Sequence, residues 1–305
     1  MLRELLDIGP DDEELSDLTS RVAGYAPIAA LLAAEPSNLR DRSFQLCRLA
    51  YAGLTREHPR IEELAEHVLE AQQPDGSFPL EAFVAADTVY DIIPLQTSLP
   101  LRGLAAVGYA TDPRAERAYE WLLDQRLDDG AWPLGEAAGQ RGYIAGYRRL
   151  PGSDGCRANT TGALAALALH PERAGSEASR AALDLLLQRE TRDESTIGWE
   201  VARLVGVEAA TGFVTFYARF DLAFVLELAS RCGASLDDPR VASLLHYLLE
   251  RRGANGLWQH PTRPELGRWL TFDLLLSLRR LAHGDWIGVA MQIPFRAYGK
   301  RRRRY

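Results

Sequence analysis

Three stretches of the chain carry one apolar stripe followed, at one fixed distance, by one kind of turn, and this repeat limits the possible folds most. Ile61, Leu64, Ala65, Val68 and Leu69 stand at i, i+3, i+4, i+7 and i+8, the spacing of a single buried face on an amphipathic helix. The same offsets recur at Ala115, Ala118, Tyr119, Leu122 and Leu123, and at Val241, Leu244, Leu245, Leu248 and Leu249. Fifteen positions after each first residue comes a glycine, Gly76, Gly130 or Gly256, preceded by Asp75, Asp129 or Asn255 and followed two positions on by Phe78, Trp132 or Trp258. Asp or Asn before Gly supports a turn with positive φ at a helix end, and the aromatic then packs back on that end. A degenerate fourth copy places Ala178, Ala182, Leu185 and Leu186 on the stripe, with an insertion before Gly198 and Trp199.

The first stripe residues lie 54 and 126 positions apart, the second interval being two units of 63. Periods above 50 leave room for two helices and their connections per unit. Between the striped helices run segments that are apolar almost all round: 41 to 54, 97 to 109, 156 to 169, 213 to 231 and 266 to 282. A helix apolar on every side is buried on every side. Alternation of the two kinds therefore predicts an all-α ring of about five to six pairs, apolar helices inside and striped helices outside: an α/α toroid. Residues 11 to 34 add one or two helices, the repeat region runs from about 39 to 285, and the expected unit is a single domain over 1 to 305.

Composition removes whole classes of function. The chain has 305 residues, 42 acidic against 35 basic, for a formal charge of -7, so no global positive field exists to hold nucleic acid. The only lysine is Lys300, which excludes Schiff-base and P-loop chemistry and leaves arginine to recognise anions. Cys47, Cys156 and Cys232 form no CxxC pair, which fits a reduced, cytoplasmic protein. No apolar run approaches a membrane span and the first residues lack a signal-peptide core, so a soluble protein is expected, with peripheral membrane contact left open. The basic run over 300 to 305 reads either as a solvated terminus or as a contact for an acidic surface.

Gln73-Pro-Asp-Gly-Ser-Phe78, Leu127-Asp-Asp-Gly-Ala-Trp132 and Gly253-Ala-Asn-Gly-Leu-Trp258 resemble the Gln-x-x-Asp-Gly-Ser-Trp repeats of the squalene and hopene cyclases and of the protein prenyltransferase β subunits. The resemblance implies an α/α toroid whose central cavity takes an isoprenoid chain. It implies a fold more strongly than a reaction, because the repeated residues belong to outer turns. The Asp-x-Asp-Asp acid of class II cyclases is absent, as is the Asp-Asp-x-x-Asp diphosphate signature of class I synthases. Asp154 and Cys156 match the Asp-x-Cys zinc pair of the protein prenyltransferases, but the His position one repeat later is Ala218. With two ligands missing, the expectation is no stoichiometric zinc, and the pair reads equally as a capping aspartate beside a small buried cysteine.

Candidate site residues come from the inner segments and the loops entering them. Asp221 and Asp273 each follow a phenylalanine and precede a leucine, and a carboxylate in so apolar a helix must be paired or hold its proton. With Tyr217, four residues before Asp221, they form the expected catalytic group; the competing reading pairs them with arginines such as Arg219, Arg268 or Arg279. Asp87 and Asp91 share a helical face and would hold Mg²⁺ if a diphosphate is the substrate. Tyr147, Arg148, Arg149 and Arg157, in and just after a glycine-rich stretch, could clamp a diphosphate or form a solvated loop. Phe213, Phe220, Phe224, Trp269 and Phe272 either fill the core or stabilise a carbocation along an isoprenoid. The expected function is an isoprenoid-processing enzyme, terpene cyclase-like or prenyltransferase-like. The alternative is a non-catalytic toroid that binds a lipid or a protein partner.

Overall fold

The computed structural model describes residues 5, 13–79, 90–133, 136–137, 140–141, 150, 153–188, 195–209, 217 and 220–288. The protein is an all-α toroid, 60% helical, with strands of only two or three residues. Helices α1 (Glu13–Gly24) and α2 (Ala26–Ala33) lead into the ring. The inner helices are α3 (Leu39–Tyr51), α5 (Pro94–Leu104), α7 (Arg157–Leu167), α10 (Leu222–Arg231) and α12 (Gly267–Leu281). Outside them lie α4 (Pro59–Leu69), α6 (Pro113–Asp124), α8 (Glu177–Leu187) and α11 (Pro239–Leu249). A further short helix, α9 (Trp199–Leu204), lies in the connection between α8 and α10.

The two layers follow from burial. All eleven residues of α5 and all eleven of α7 are buried, whereas α4 and α6 bury only their stripes. Leu249, the last stripe residue of α11, is exposed, so the third stripe is one residue narrower than its spacing predicts. In the apolar segment from 213 the inner helix α10 spans Leu222–Arg231, with Phe220 and Asp221 in extended backbone ahead of it. Side by side, α3 packs on α5, α5 on α7, and α10 on α12.

Each outer turn is built the same way. Gly76, Gly130 and Gly256 take φ of 94°, 90° and 81°, where an L side chain would be strained. The preceding Asp75, Asp129 or Asn255 accepts the backbone N–H two residues on, at 2.9, 3.0 and 3.2 Å. The indoles of Trp132 and Trp258 each donate at 2.7 Å to a carbonyl ten residues back, that of Leu122 and of Leu248. The backbone N–H groups of Phe78, Trp132 and Trp258 donate to the hydroxyls of Thr97, Thr160 and Thr271, at 3.0, 3.0 and 2.9 Å. A threonine on the next inner helix thus fastens every regular turn, satisfying a buried donor that would otherwise cost stability.

The outer helices share a second device. His58-Pro-Arg60, Asp112-Pro-Arg114 and Asp238-Pro-Arg240 start α4, α6 and α11, with the cap side chain accepting the arginine N–H and proline at the first helical position. The arginines then reach backward along the ring, Arg114 to Glu66 on α4 at 2.7 Å and Arg240 to Asp184 on α8 at 2.8 Å. Arg173, ahead of α8, reaches Glu116 on α6 at 2.7 Å.

Candidate functional site

The ring interior is crossed by chain. Every residue of α9 from Glu200 to Leu204 is buried, although the helix has only six residues. Its partners come from several inner helices. Glu200 accepts from Arg102 of α5 at 2.6 Å and also pairs with Arg203. The Arg203 guanidinium lies 5.9 Å from the Phe44 ring of α3 and 5.3 Å from the Tyr217 ring. Arg48 of α3 donates from Nε to the Leu204 carbonyl at 3.2 Å. Tyr217 accepts from Arg102, stacks on Phe224 of α10 with centroids 5.7 Å apart, and lies so close to Gly162 of α7 that a Cβ there would touch it. Residues of α3, α5, α7 and α10 therefore converge on α9 and Tyr217.

Charge inside this cluster is set by competition. Burial alone would raise the Glu200 carboxyl, but Arg102 and Arg203 outweigh it and hold the group below its usual range. Burial raises the Tyr217 phenol and takes the Cys47 thiol, which faces the same two arginines, to about 11. Cys47 is consequently a neutral packing group at physiological pH, not a nucleophile.

The two aspartates singled out in the sequence are both present in the interior but in unlike surroundings. Asp221 is extended, not helical (φ -94°, ψ 114°), and caps α10. Its carboxylate accepts three backbone N–H groups: Ala223 at 3.0 Å, Gly198 at 3.0 Å and Glu200 at 2.7 Å. Burial raises its pKa to about 6, against these three donors. Asp273 sits within α12, where the Tyr51 hydroxyl of α3 donates to its Oδ1 at 2.9 Å. Its pKa stands well above the ordinary value, first through burial and then through the charge of Glu227, with the Tyr51 bond opposing. Glu227 is tied to Arg231 at 2.8 Å on α10. The Trp269 ring lies 5.9 Å from that of Tyr51.

These placements correct several expectations. Asp221 and Asp273 do not occupy matching helical places, and Tyr217 and Asp221 share no helical face, because the helix starts after Asp221. Tyr217 is engaged by Arg102 instead. Neither aspartate forms an arginine ion pair among the described residues. The cap position of α7 belongs to Cys156, so Asp154, two residues earlier and exposed, is not the capping residue. Arg157 is buried at the start of α7 with its guanidinium 5.4 Å from the Phe220 ring, and Phe272 is half-buried. The backbone of Asp91 lies in a short strand, Tyr90–Ile92, rather than a helix. Asp87, Tyr147, Arg148, Arg149 and Phe213 lie outside the described residues. No group of three or more His, Cys, Asp and Glu side chains that could hold a metal ion occurs among the described residues.

Arg102, Glu200, Arg203, Arg48, Tyr51 and Glu227 were not legible as a site. The available signal was a charge inside an apolar run, as for Arg102 within Leu99-Pro-Leu-Arg-Gly-Leu104.

No protein-family model matches the chain, and no curated protein matches it. Among solved structures it is similar to the type II terpene cyclase MstE from Scytonema. A variant of that enzyme in complex with geranylgeranyl dihydroxybenzoate aligns at 17% identity and a TM-score of 0.46, covering 86% of this chain and 72% of that one. The apo enzyme aligns at 14% identity and a TM-score of 0.34, covering 87% and 98%. No helix among the described residues is long and apolar enough to cross a membrane.

Proposed function

We propose that the chain is an isoprenoid-processing enzyme, terpene cyclase-like in its chemistry, with Asp273 as the proton donor. The observation that carries this reading is a carboxyl with no cationic partner in direct contact among the described residues, held by the Tyr51 hydroxyl and biased toward its protonated form by burial and by Glu227. In the proposed step the Asp273 O–H bond breaks and its proton passes to one carbon of an alkene, leaving a carbocation on the other. The faces of Tyr51, Trp269 and Phe272 would stabilise that cation. The Asp273 carboxylate left behind would recover a proton when the cation loses one to form product. Asp221 supports the ring by closing the start of α10 and α9 and is a positioning residue in this scheme. Arg157, with Asp87, Tyr147, Arg148 and Arg149 outside the described residues, remains a proposed substrate contact, as do Asp91, Phe220 and Phe224.

A second reading, a toroid that binds without catalysis, is favoured by one observation: α9 and Tyr217 occupy interior space that a long chain would need. Turnover of farnesyl and geranylgeranyl diphosphate, measured beside thermal stability, separates the two. Asp273→Asn is expected to abolish turnover with little loss of stability, and Asp221→Asn to lower stability. Wild-type protein that retains such a ligand without converting it supports the second reading. Full turnover by Asp273→Asn contradicts the first.

A further inference from the structure

The arginines of the ring interior are not equivalent. Arg102 and Arg203 share Glu200, and Arg231 has Glu227. Arg48, half-buried on α3, has no carboxylate within ion-pair distance among the described residues, and its hydrogen bond is Nε to the Leu204 carbonyl. Burial lowers its pKa, with no acidic neighbour to offset the effect. A guanidinium has five N–H donors; the Nε bond leaves Nη1 without a hydrogen-bond partner among the described residues, while Nη2 packs on Gly206. Arg48 and Tyr51 stand at i and i+3 on α3, neighbours about 5–6 Å apart at Cβ. The unneutralised cation therefore lies one helical turn from the Tyr51–Asp273 pair, and beyond it the chain turns at Gly206 toward exposed Val207.

We infer that Arg48 anchors an anionic head group, a diphosphate or carboxylate, of the ligand taken into the ring. The inference rests on the isoprenoid reading above and sharpens it. A planar guanidinium presents N–H groups that match the oxygens of a phosphate or carboxylate. Anchored there, the head group lies beside Asp273, so the proton goes to an alkene near the head of the chain and not to its far end. This arrangement also accommodates α9, since a ligand held at the Arg48 end need not extend through the space occupied by Glu200 and Tyr217.

Calorimetric binding of farnesyl diphosphate, farnesol and inorganic pyrophosphate to wild type, Arg48→Gln and Arg48→Lys tests the inference. Gln keeps a donor for the Leu204 carbonyl, so thermal stability checks that the variant is folded. Wild type is expected to bind farnesyl diphosphate at least tenfold more tightly than farnesol. Arg48→Gln is expected to erase that preference while farnesol affinity stays within about twofold, and Arg48→Lys to restore part of it. A preference that survives in Arg48→Gln, or no preference in wild type, overturns the anchor while leaving the isoprenoid reading in place. Pyrophosphate binding that depends on Arg48, with no added affinity from the farnesyl chain, keeps the anion site and overturns the isoprenoid reading. Absence of binding by all three probes overturns both.

Discussion

The units of α6 and of α8 begin alike and diverge at one turn. After α6 the chain makes Asp129-Gly130-Ala-Trp132, buries the indole against the Leu122 carbonyl, and fastens the turn to Thr160 of α7. After α8 the chain reaches Gly198-Trp199 with the same positive φ at glycine, 79° against 90°, but no spacer residue separates glycine from tryptophan. Trp199 becomes the first residue of α9 and the chain enters the ring interior. The fastening role passes from a threonine hydroxyl inside the next helix to the Asp221 carboxylate at its cap, which takes three N–H groups at once. A turn that serves only the fold has been exchanged for a buried charged segment, and the Arg102–Glu200–Arg203 cluster follows from that exchange.

The largest expected effect concerns the turns themselves. Trp132→Ala should destabilise the fold by about 3–5 kcal/mol, the usual cost of truncating a fully buried aromatic, whereas Trp199→Ala, at a half-buried position, should cost markedly less. Denaturant unfolding of the two variants side by side measures the difference. Equal losses would mean that the fourth turn holds its unit as the regular turns do. Glu200→Gln should come next, since it leaves two buried guanidiniums without their shared carboxylate; breaking a buried pair in this way costs about 3–5 kcal/mol, reduced here as Gln still accepts one hydrogen bond. Unfolding at neutral pH would show it, and a loss below about 1 kcal/mol would indicate that water reaches this cluster. Thr160→Val, nearly isosteric, should cost about 1–3 kcal/mol by stranding the Trp132 N–H. The matching Val225, four residues after the Asp221 cap as Thr97 and Thr160 are after theirs, should tolerate Val225→Thr poorly, because it adds a buried hydroxyl and gains no turn N–H.

How much of this was legible in the sequence depends on whether spacing was conserved between copies. The stripe, glycine and aromatic keep fixed offsets because they belong to one helix and its turn, so the toroid could be read directly. Thr97, Thr160 and Thr271 do the same job but lie 19, 28 and 13 residues after their aromatics, and that variation hid them. The Pro-Arg starts of the outer helices were regular enough to find, yet meant little until the arginines could be seen reaching the preceding helix. Within the interior, Asp221 and Asp273 were identified as buried acids from their apolar neighbours. Their division into a cap and a proton-holding carboxyl was not, because it depends on Gly198, Glu200 and Tyr51, which are distant in sequence from the acids they contact.

That division is the central claim, and a titration of the two carboxyls by carbon-detected NMR, with Asp221→Asn and Asp273→Asn to assign the signals, tests it most directly. Asp221 should lose its proton near pH 6, and Asp273 well above the ordinary carboxylate range. Both folded-state values lie above the ordinary aspartate range near 3.9, so each group favours the fold most below pH ~4 and loses that contribution as pH rises through its folded value. For Asp221 this amounts to roughly 3 kcal/mol between pH ~4 and just above 6. The account predicts that both carboxyls ionise above the ordinary range, with stability falling as pH rises through each value. An Asp273 carboxyl that ionises in the ordinary aspartate range would contradict it.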